Sequence, residues 1–537
     1  MANNLTHAAA SSNFDLAKID AAFEGSFSEG LNACIECCDR HVGTGRAALE
    51  WIGLHGETRT ISYDYLQQQS ARFANMLKAQ GVGQGDRVAC MLPRVPELLV
   101  AMLGTLRAGA VYQPLFTAFG PKAIEQRISG SEAKLIVTDG ENRPKLDAVQ
   151  NCPPVVSIST PRETDLDFKA LLEQQSTDFA PVLLRGDDLF LMLFTSGTTG
   201  PPKGVGVPLS ALRAFRSYMT AGLDVRPDDR FWNIADPGWA YGLYYSAIGP
   251  LLLGNTTTFQ EAGFSVEATC KTIREQKITN FAGAPTVYRM MIAAGDDVAN
   301  TLRGQLRAAS SAGEPLNAEV IRWFKENVGV NLHDQYGQTE IAMVMMNHHG
   351  VEHAVRPGSA GLPMPGYSLA VLDEAGKPLA PGSRGTLAVN LSQSPLFFFP
   401  GYWGREGADW TGDYYSTGDT VEQHEEGDFS FVGRSDDLIS SAGYRIGPFD
   451  VESSLIEHPL VLESAVVGKP DAERGHIVKA FVVLGQGAKP SDALSEELRL
   501  HVRGRLGAHA YPREIAFVDA LPKTPSGKVQ RFMLRES

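Results

Sequence analysis

The sequence predicts an α/β protein: a large N-terminal domain of two parallel α/β subdomains plus a small β-rich subdomain, followed by a small α+β C-terminal domain. Three observations carry this. Strand and helix patterns alternate from residue 14 to about residue 180, and again between Phe231 and Ala284. From about residue 366, short strands punctuated by Gly, Pro and Asp replace that alternation. Beyond the polar, glycine-bounded stretch Gly433–Gly443, a separate alternation begins. The chain has 537 residues, more than one hydrophobic core holds, so at least two domains are expected.

The elements follow in order. Gly85–Leu92 reads as a buried strand entered by a tight turn, Glu97–Ala108 has helical apolar spacing, and Ala110–Leu115 and Ala133–Thr138 read as further strands. Phe231–Asp236, Thr257–Gln260 and Asn280–Ala284 continue the parallel alternation. Tyr367–Leu372, Gly385–Leu391 and Asp428–Val432 form the β-rich part. A domain junction is expected within Gly433–Gly443, which divides the chain into 1–435 and 436–537. Past it, Phe449–Glu457 and Leu494–Leu506 are helices, and Glu463–Val467 and Val478–Leu484 are strands.

Hydrophobic residues make up 43% and charged residues 20%, as in an ordinary globular enzyme. The formal net charge of −14 argues against nucleic-acid binding, which needs a basic surface to release counterions. Nucleotide binding needs only a local glycine loop and a few lysines. The longest apolar runs, such as Leu98–Leu106 and Ile248–Leu253, fall short of the roughly 18 residues that span a bilayer, so no membrane insertion is expected. No basic residue precedes Lys18, and the end Arg535-Glu536-Ser537 is not a peroxisomal address; the expectation is a cytoplasmic protein. Cys34, Cys37 and Cys38 lack further ligands at metal spacing and read as buried thiols.

The chemistry begins at Thr195-Ser196-Gly197-Thr198-Thr199-Gly200-Pro201-Pro202-Lys203-Gly204, directly after the apolar run Leu191–Phe194. Glycines let backbone N–H groups approach phosphate oxygens, the hydroxyls add donors, and Lys203 adds charge. This is a phosphate cradle, though not a Walker loop, whose spacing it lacks.

This loop resembles the phosphate-binding signature of the adenylate-forming superfamily, which includes acyl-CoA synthetases, peptide-synthetase adenylation domains and firefly luciferase. Further signatures recur in family order from about residue 50 to Arg531. Ala312-Gly313-Glu314-Pro315 resembles the segment lining the adenine and ribose side of the ATP site. Asp334-Gln335-Tyr336-Gly337-Gln338-Thr339-Glu340 resembles the segment in which the aromatic ring stacks on adenine, the threonine contacts the α-phosphate and the glutamate holds Mg²⁺. The resemblance therefore implies Tyr336, Thr339 and Glu340 in those roles, with Thr198 as a second metal ligand. A carboxylate is a hard oxygen ligand suited to a Mg²⁺ ion that also bridges phosphates. Asp419, in Tyr415–Asp419, matches the aspartate that accepts from the ribose hydroxyls, with Arg434 beside it and Asp436 as the hinge. In Pro522–Arg531, Lys528 rather than Lys523 matches the lysine that bridges carboxylate and α-phosphate during adenylation.

The implied reaction has two steps: a carboxylic acid and MgATP give acyl-AMP and pyrophosphate, then a thiol displaces AMP. In the family the small C-terminal domain is mobile and rotates between the steps. Ser441–Arg445 resembles the pantetheine channel of acyl-CoA synthetases, which implies coenzyme A contacts from Ala442, Gly443, Tyr444 and Arg445. Arg503, and with it Arg143 and Lys145, would meet the nucleotide end of coenzyme A. The segment Ala235–Gly242 and the Tyr336–Glu340 spelling look like the acetate and medium-chain branch. Acetate-specific members carry tryptophan where Gly337 stands, so Gly337 and Ala312 imply an opened acyl pocket, with Trp239, Ala240 and Tyr241 as further walls. The substrate expected is a short-to-medium, branched or aryl acid larger than acetate. Partners are then the acid, ATP and coenzyme A, and a homodimer is left open. Three alternatives stay open at this point. One is a stand-alone adenylating enzyme serving a carrier protein, another a luciferase-like oxidoreductase, and the third a non-catalytic protein on the same fold.

Overall fold

The computed structural model describes residues 5–195, 202–405, 410–435, 437–441, 444–471, 474–485, 487–507, 510–524 and 528–535. Among these residues the chain builds the expected layers. The first sheet orders its strands Leu166–Asp167, Val155–Ser157, Leu135–Thr138, Arg87–Met91, Val111–Pro114, Leu189–Thr195 and Lys203–Pro208. All neighbours are parallel except the last pair, an antiparallel hairpin that carries the cradle loop. Helix Pro96–Arg107 starts on a proline, and every residue in it but Glu97 is buried. An apolar surface all round suits a helix packed on several sides.

The second sheet orders Phe231–Asn233, Asn280–Gly283, Ala308–Ala312, Leu332–Gln338, Ala342–Met346 and Leu362–Pro363. Its first four strands are parallel; the last two turn back antiparallel. Thr257–Gln260, expected to continue this alternation, pairs instead with Ala47–Ile52 in a separate three-stranded sheet. Its four residues are all buried, and such a run does not reveal which sheet receives it. Leu369–Leu372, Arg384–Asn390, Tyr414–Gln423 and Phe429–Arg434 form an antiparallel sheet, the β-rich part.

Beyond it, Val461–Asp471 and Gly475–Leu484 pair in a long hairpin with Glu514–Phe517 beside it. Helices Pro448–Ile456 and Asp492–Leu506 match the expected positions. Two core clusters in this part, one around Val466 and Leu498 and one around Ala465 and Phe481, contain only residues after Leu438. Among the described residues no helix is long and apolar enough to cross a membrane.

Cys34, Cys37 and Cys38 are buried on a short helix, Ala33–Cys37. Nearby, Arg107 reaches Asp39 with two hydrogen bonds of 2.9 and 2.5 Å. The Arg107 side chain is only 3% exposed. Asp39→Ala leaves that guanidinium buried and unpaired, and is expected to lower stability by about 3 kcal/mol, read as a shifted denaturant midpoint.

Candidate active site

The cradle residues Ser196, Gly197, Thr198, Thr199 and Gly200 lie outside the described residues. What frames them is clear. Thr195 and Lys203 face each other across the hairpin, with the Thr195 hydroxyl 3.5 Å from the Lys203 carbonyl. The Lys203 ammonium sits 4.4 Å from the centre of the Tyr402 ring, and the Tyr402 hydroxyl donates to Glu340 Oε1 at 3.0 Å. Cation, aromatic ring and carboxylate thus join the hairpin of the first sheet to a turn of the second.

That turn runs between strands Leu332–Gln338 and Ala342–Met346. Ala342 takes a left-handed conformation, φ 59°, and the strand bulges between Tyr336 and Gly337. The Tyr244 hydroxyl donates to the Thr339 carbonyl at 3.1 Å and pins the turn from beneath. Glu340 is 6% exposed. Burial pushes its carboxyl up; the Tyr402 hydroxyl and the charges of Lys203 and Lys528 pull it back. Among the described residues no group of three His, Cys, Asp or Glu could cage a metal. A single buried carboxylate such as Glu340 fits Mg²⁺, which takes one or two carboxylates and completes its shell with phosphates and water.

Asp419 gathers the other half of the site. Tyr336 donates its hydroxyl to Asp419 Oδ2 at 2.5 Å, and Gln338 Nε2 donates to the same oxygen at 2.8 Å. Gln338 Nε2 also lies 2.9 Å from the Thr417 carbonyl. Arg434, the register partner of Asp419 on the neighbouring strand, reaches Oδ1 at 3.5 Å. Asp419 is 5% exposed; burial raises its carboxyl, and Arg434 is the foremost of the groups that oppose this. Tyr336 thus presents a ring edge-anchored by its hydroxyl, a contact the sequence reading missed. No local signal marks it, because the partner lies on another sheet.

Gly313 turns the chain after strand Ala308–Ala312 with φ 100°, and Pro315 follows it. Glu314 accepts from Arg289 at 3.1 Å, so its charge is paired. Asp334 is buried and accepts from the backbone N–H groups of Leu316 at 3.2 Å and Gln335 at 3.0 Å. It fastens the Ala312–Pro315 loop to the adjacent strand. Burial pushes its carboxyl up to about 7, against those two N–H groups.

The C-terminal segment docks on this face. Asn317 donates to Ser453 Oγ at 2.9 Å, and Arg384 lies 3.6 Å from Asp450. Lys528 is exposed and near enough for its charge to lower the carboxyls of both Glu340 and Asp419. Its backbone is set by a tight exchange with Thr524, at 2.7 and 3.0 Å. Lys523 instead pairs with Glu463 at 2.6 Å, within the C-terminal part itself. Arg531 is held by Glu452 at 2.8 Å.

Of the coenzyme A candidates, Ala442 and Gly443, like the hinge Asp436, lie outside the described residues. So does the Arg445 side chain. Tyr444 is 56% exposed. Arg503 stands with Arg499 and Arg513 around the Tyr511 ring, at 5.9, 5.5 and 5.2 Å. Arg143 needs correction: it is locked to Asp165 by hydrogen bonds of 2.8 to 3.0 Å and to Asp147 at 2.9 Å. A guanidinium shared by two carboxylates has little charge left for a phosphate. Lys145 likewise donates to Asn142 Oδ1 at 2.7 Å and to the Thr117 carbonyl.

The acyl-pocket residues also need one correction. Gly337 is not open floor. A Cβ there would lie 2.1 Å from the Ala342 carbonyl oxygen and 2.7 Å from Met343 Cα. The bulge brings backbone against it, so glycine serves the hairpin, not pocket volume. Ala312 is 1% exposed, and Tyr241 packs its ring 5.7 Å from that of Tyr245. Ala240 opens the short helix that carries Tyr241. Trp239 packs against Phe116 and Phe119 at 5.4 and 5.2 Å, as a core tryptophan does.

Asp334 gives a pH test. The folded chain keeps this proton up to about pH 7, whereas the ordinary carboxyl loses it near 3.8. Between those values the folded state binds more protons, so stability falls as pH rises. Asp334→Asn is expected to melt above the native protein at pH 8, by about 2 °C, with the difference closing below pH 4 in thermal scans at both pH values.

Comparison with known proteins agrees with this geometry. Residues 39–403 match the family model of AMP-binding enzymes, and residues 450–528 match the AMP-binding enzyme C-terminal domain. The acetyl-coenzyme A synthetase of Bacillus subtilis (strain 168) is 37% identical over 97% of this chain and 93% of its own length. The crystal structure of an acyl-CoA synthetase of Brucella canis shares 54% identity with a TM-score of 0.82, covering 99% of this chain and 98% of that one. An anthranilate CoA ligase, AuaEII, in complex with anthranoyl-AMP, has a TM-score of 0.87 at 28% identity, covering 94% and 97%. The chain belongs to the AMP-binding enzymes, as an acid–thiol ligase of the AMP-forming acyl-CoA synthetases that use ATP, Mg²⁺ and coenzyme A.

Proposed function

We propose that this ligase activates a short-to-medium, branched or aryl carboxylic acid larger than acetate, and that Lys528 is the catalytic lysine of adenylation. What supports the second claim is that the charge of Lys528, on its own C-terminal segment, is felt by both Glu340 and Asp419 and lowers their carboxyls. A compact ammonium at that position would stabilise the oxygens that gain charge when the carboxylate attacks the α-phosphorus. Thr195–Lys203 would hold the phosphates, with Thr339 at the α-phosphate. Glu340, with Thr198, would hold Mg²⁺, an ion that offsets phosphate charge when bound. Asp419 would accept from the ribose hydroxyls, with Arg434 supporting it, and Tyr336 would face adenine beside Asp334, Gln335, Gln338 and the Gly313–Pro315 loop.

The docked C-terminal part matches what adenylation needs. Attack by coenzyme A would follow after that part swings about Asp436, bringing Ala442, Gly443, Tyr444 and Arg445 to the acyl-adenylate and Arg503 toward the nucleotide end of coenzyme A. Residues 1–435 and 436–537 are then the two moving bodies. The acid's size is supported by the similarity to a ligase of an aryl acid.

Lys528→Ala is expected to slow acyl-AMP formation by about 100-fold or more, while supplied acyl-AMP still reacts with coenzyme A. Equal loss in both half-reactions would refute the role. The acid itself is decided by coenzyme-A-dependent AMP release over a panel from acetate to octanoate, with 2-methylbutanoate and benzoate. The highest kcat/KM is expected above acetate; a maximum at acetate would overturn the reading, as would AMP release without coenzyme A.

A further inference from the structure

One face of the second parallel sheet carries a row of buried polar atoms without partners. Phe281, Ala309 and Leu332 point from neighbouring strands into the core cluster on one side. By strand alternation, Asn280, Ser310 and Gln335 point to the other. Their contacts agree. Asn280 Nδ2 donates to the Leu223 carbonyl at 2.8 Å, and Gln335 Oε1 accepts from the Tyr218 hydroxyl. The strand register pairs Ala282 with Ser310 and Ala312 with Gln335, so the three residues step diagonally across three adjacent strands.

The opposite end of each of these groups is orphaned. Asn280 Oδ1, Ser310 Oγ and Gln335 Nε2 are buried without a hydrogen-bond partner, while the Tyr241 hydroxyl is hydrogen-bonded to that of Tyr218. Asn280 and Ser310 are fully buried, and Gln335 is 2% exposed. Leaving one such atom unmet costs on the order of 1–3 kcal/mol, so three on one face call for a partner that the chain itself does not supply. The row starts two residues before Gly337 on the strand that leads to Thr339, and runs away from it toward Asn280. An acid whose carboxylate meets the α-phosphate beside Thr339 would send its tail along this row. Gln335 Nε2 offers a donor, Asn280 Oδ1 an acceptor, and the Ser310 hydroxyl either.

We infer that the unpaired Gln335, Ser310 and Asn280 atoms recognise a polar substituent on the tail of the acid, so the substrate class is a hydroxy-, oxo- or amino-substituted carboxylic acid rather than a plain hydrocarbon one. This rests on the acyl-CoA synthetase reading above and names the acid's chemistry. A site built to hydrogen-bond a substrate group rejects the analogue lacking it, because its own polar atoms are then left bare.

The experiment compares matched acids in AMP release with coenzyme A: benzoate against 3- and 4-hydroxybenzoate and 3-aminobenzoate, and hexanoate against 5-oxohexanoate and 6-hydroxyhexanoate. At least one polar member is expected to exceed its plain partner in kcat/KM by about tenfold or more. In Ser310→Ala, which deletes a hydroxyl without adding bulk, that ratio is expected to fall toward one. Ratios of one or below for every pair in the native enzyme would overturn the inference and mean that water alone meets these atoms. A ratio unmoved in Ser310→Ala would overturn it too. If no acid, plain or polar, yields AMP, the underlying reading fails and the inference falls with it.

Discussion

The buried carboxylate of Asp419 is the interaction on which the site's shape depends. It sits on the antiparallel sheet and holds Tyr336 and Gln338 of the second parallel sheet through one oxygen, while Arg434 approaches the other. A carboxylate this deep is costly unless several donors meet it. Those donors come from two sheets, so satisfying the charge also sets the distance between them. The turn that bears Thr339 and Glu340 follows directly on the tethered strand, and its place is inherited from that tie.

A second tie runs from the first sheet. Lys203, the Tyr402 ring and Glu340 form a line from the cradle hairpin to that same turn. Three layers therefore meet where phosphates and a carboxylate would react. The C-terminal part meets this junction through Asn317–Ser453, Arg384–Asp450 and the Phe431–Phe449 ring contact at 6.2 Å, while its own clusters keep it folded. A separately cored unit is suited to moving as a body. Lys528 is exposed on it, so a rotation would carry its charge in or out without breaking a core.

The corrections share one cause. Arg143 and Lys145 read as free basic residues in the sequence, yet Asp165 and Thr117, distant in the chain, take them up. Gly337 looked like missing bulk in a pocket; the bulge opposite Ala342 shows backbone where a side chain would go. Thr257–Gln260 reads correctly as a strand but joins a different sheet. Each error concerns a partner contributed by another part of the fold.

By itself the sequence determined the layered α/β architecture, the hydroxyl- and glycine-rich loop after Leu191–Phe194, and the order of motifs through Lys528. These are written in local periodicity and spacing, which a single stretch of chain carries. Only the tertiary structure decided that Tyr336 and Gln338 share Asp419, 83 and 81 residues away, and that Asn280, Ser310 and Gln335 leave polar atoms unmet on one face. Hydrogen-bond satisfaction is a property of what surrounds a group in space, and strands that neighbour one another in a crossover sheet are far apart in the chain.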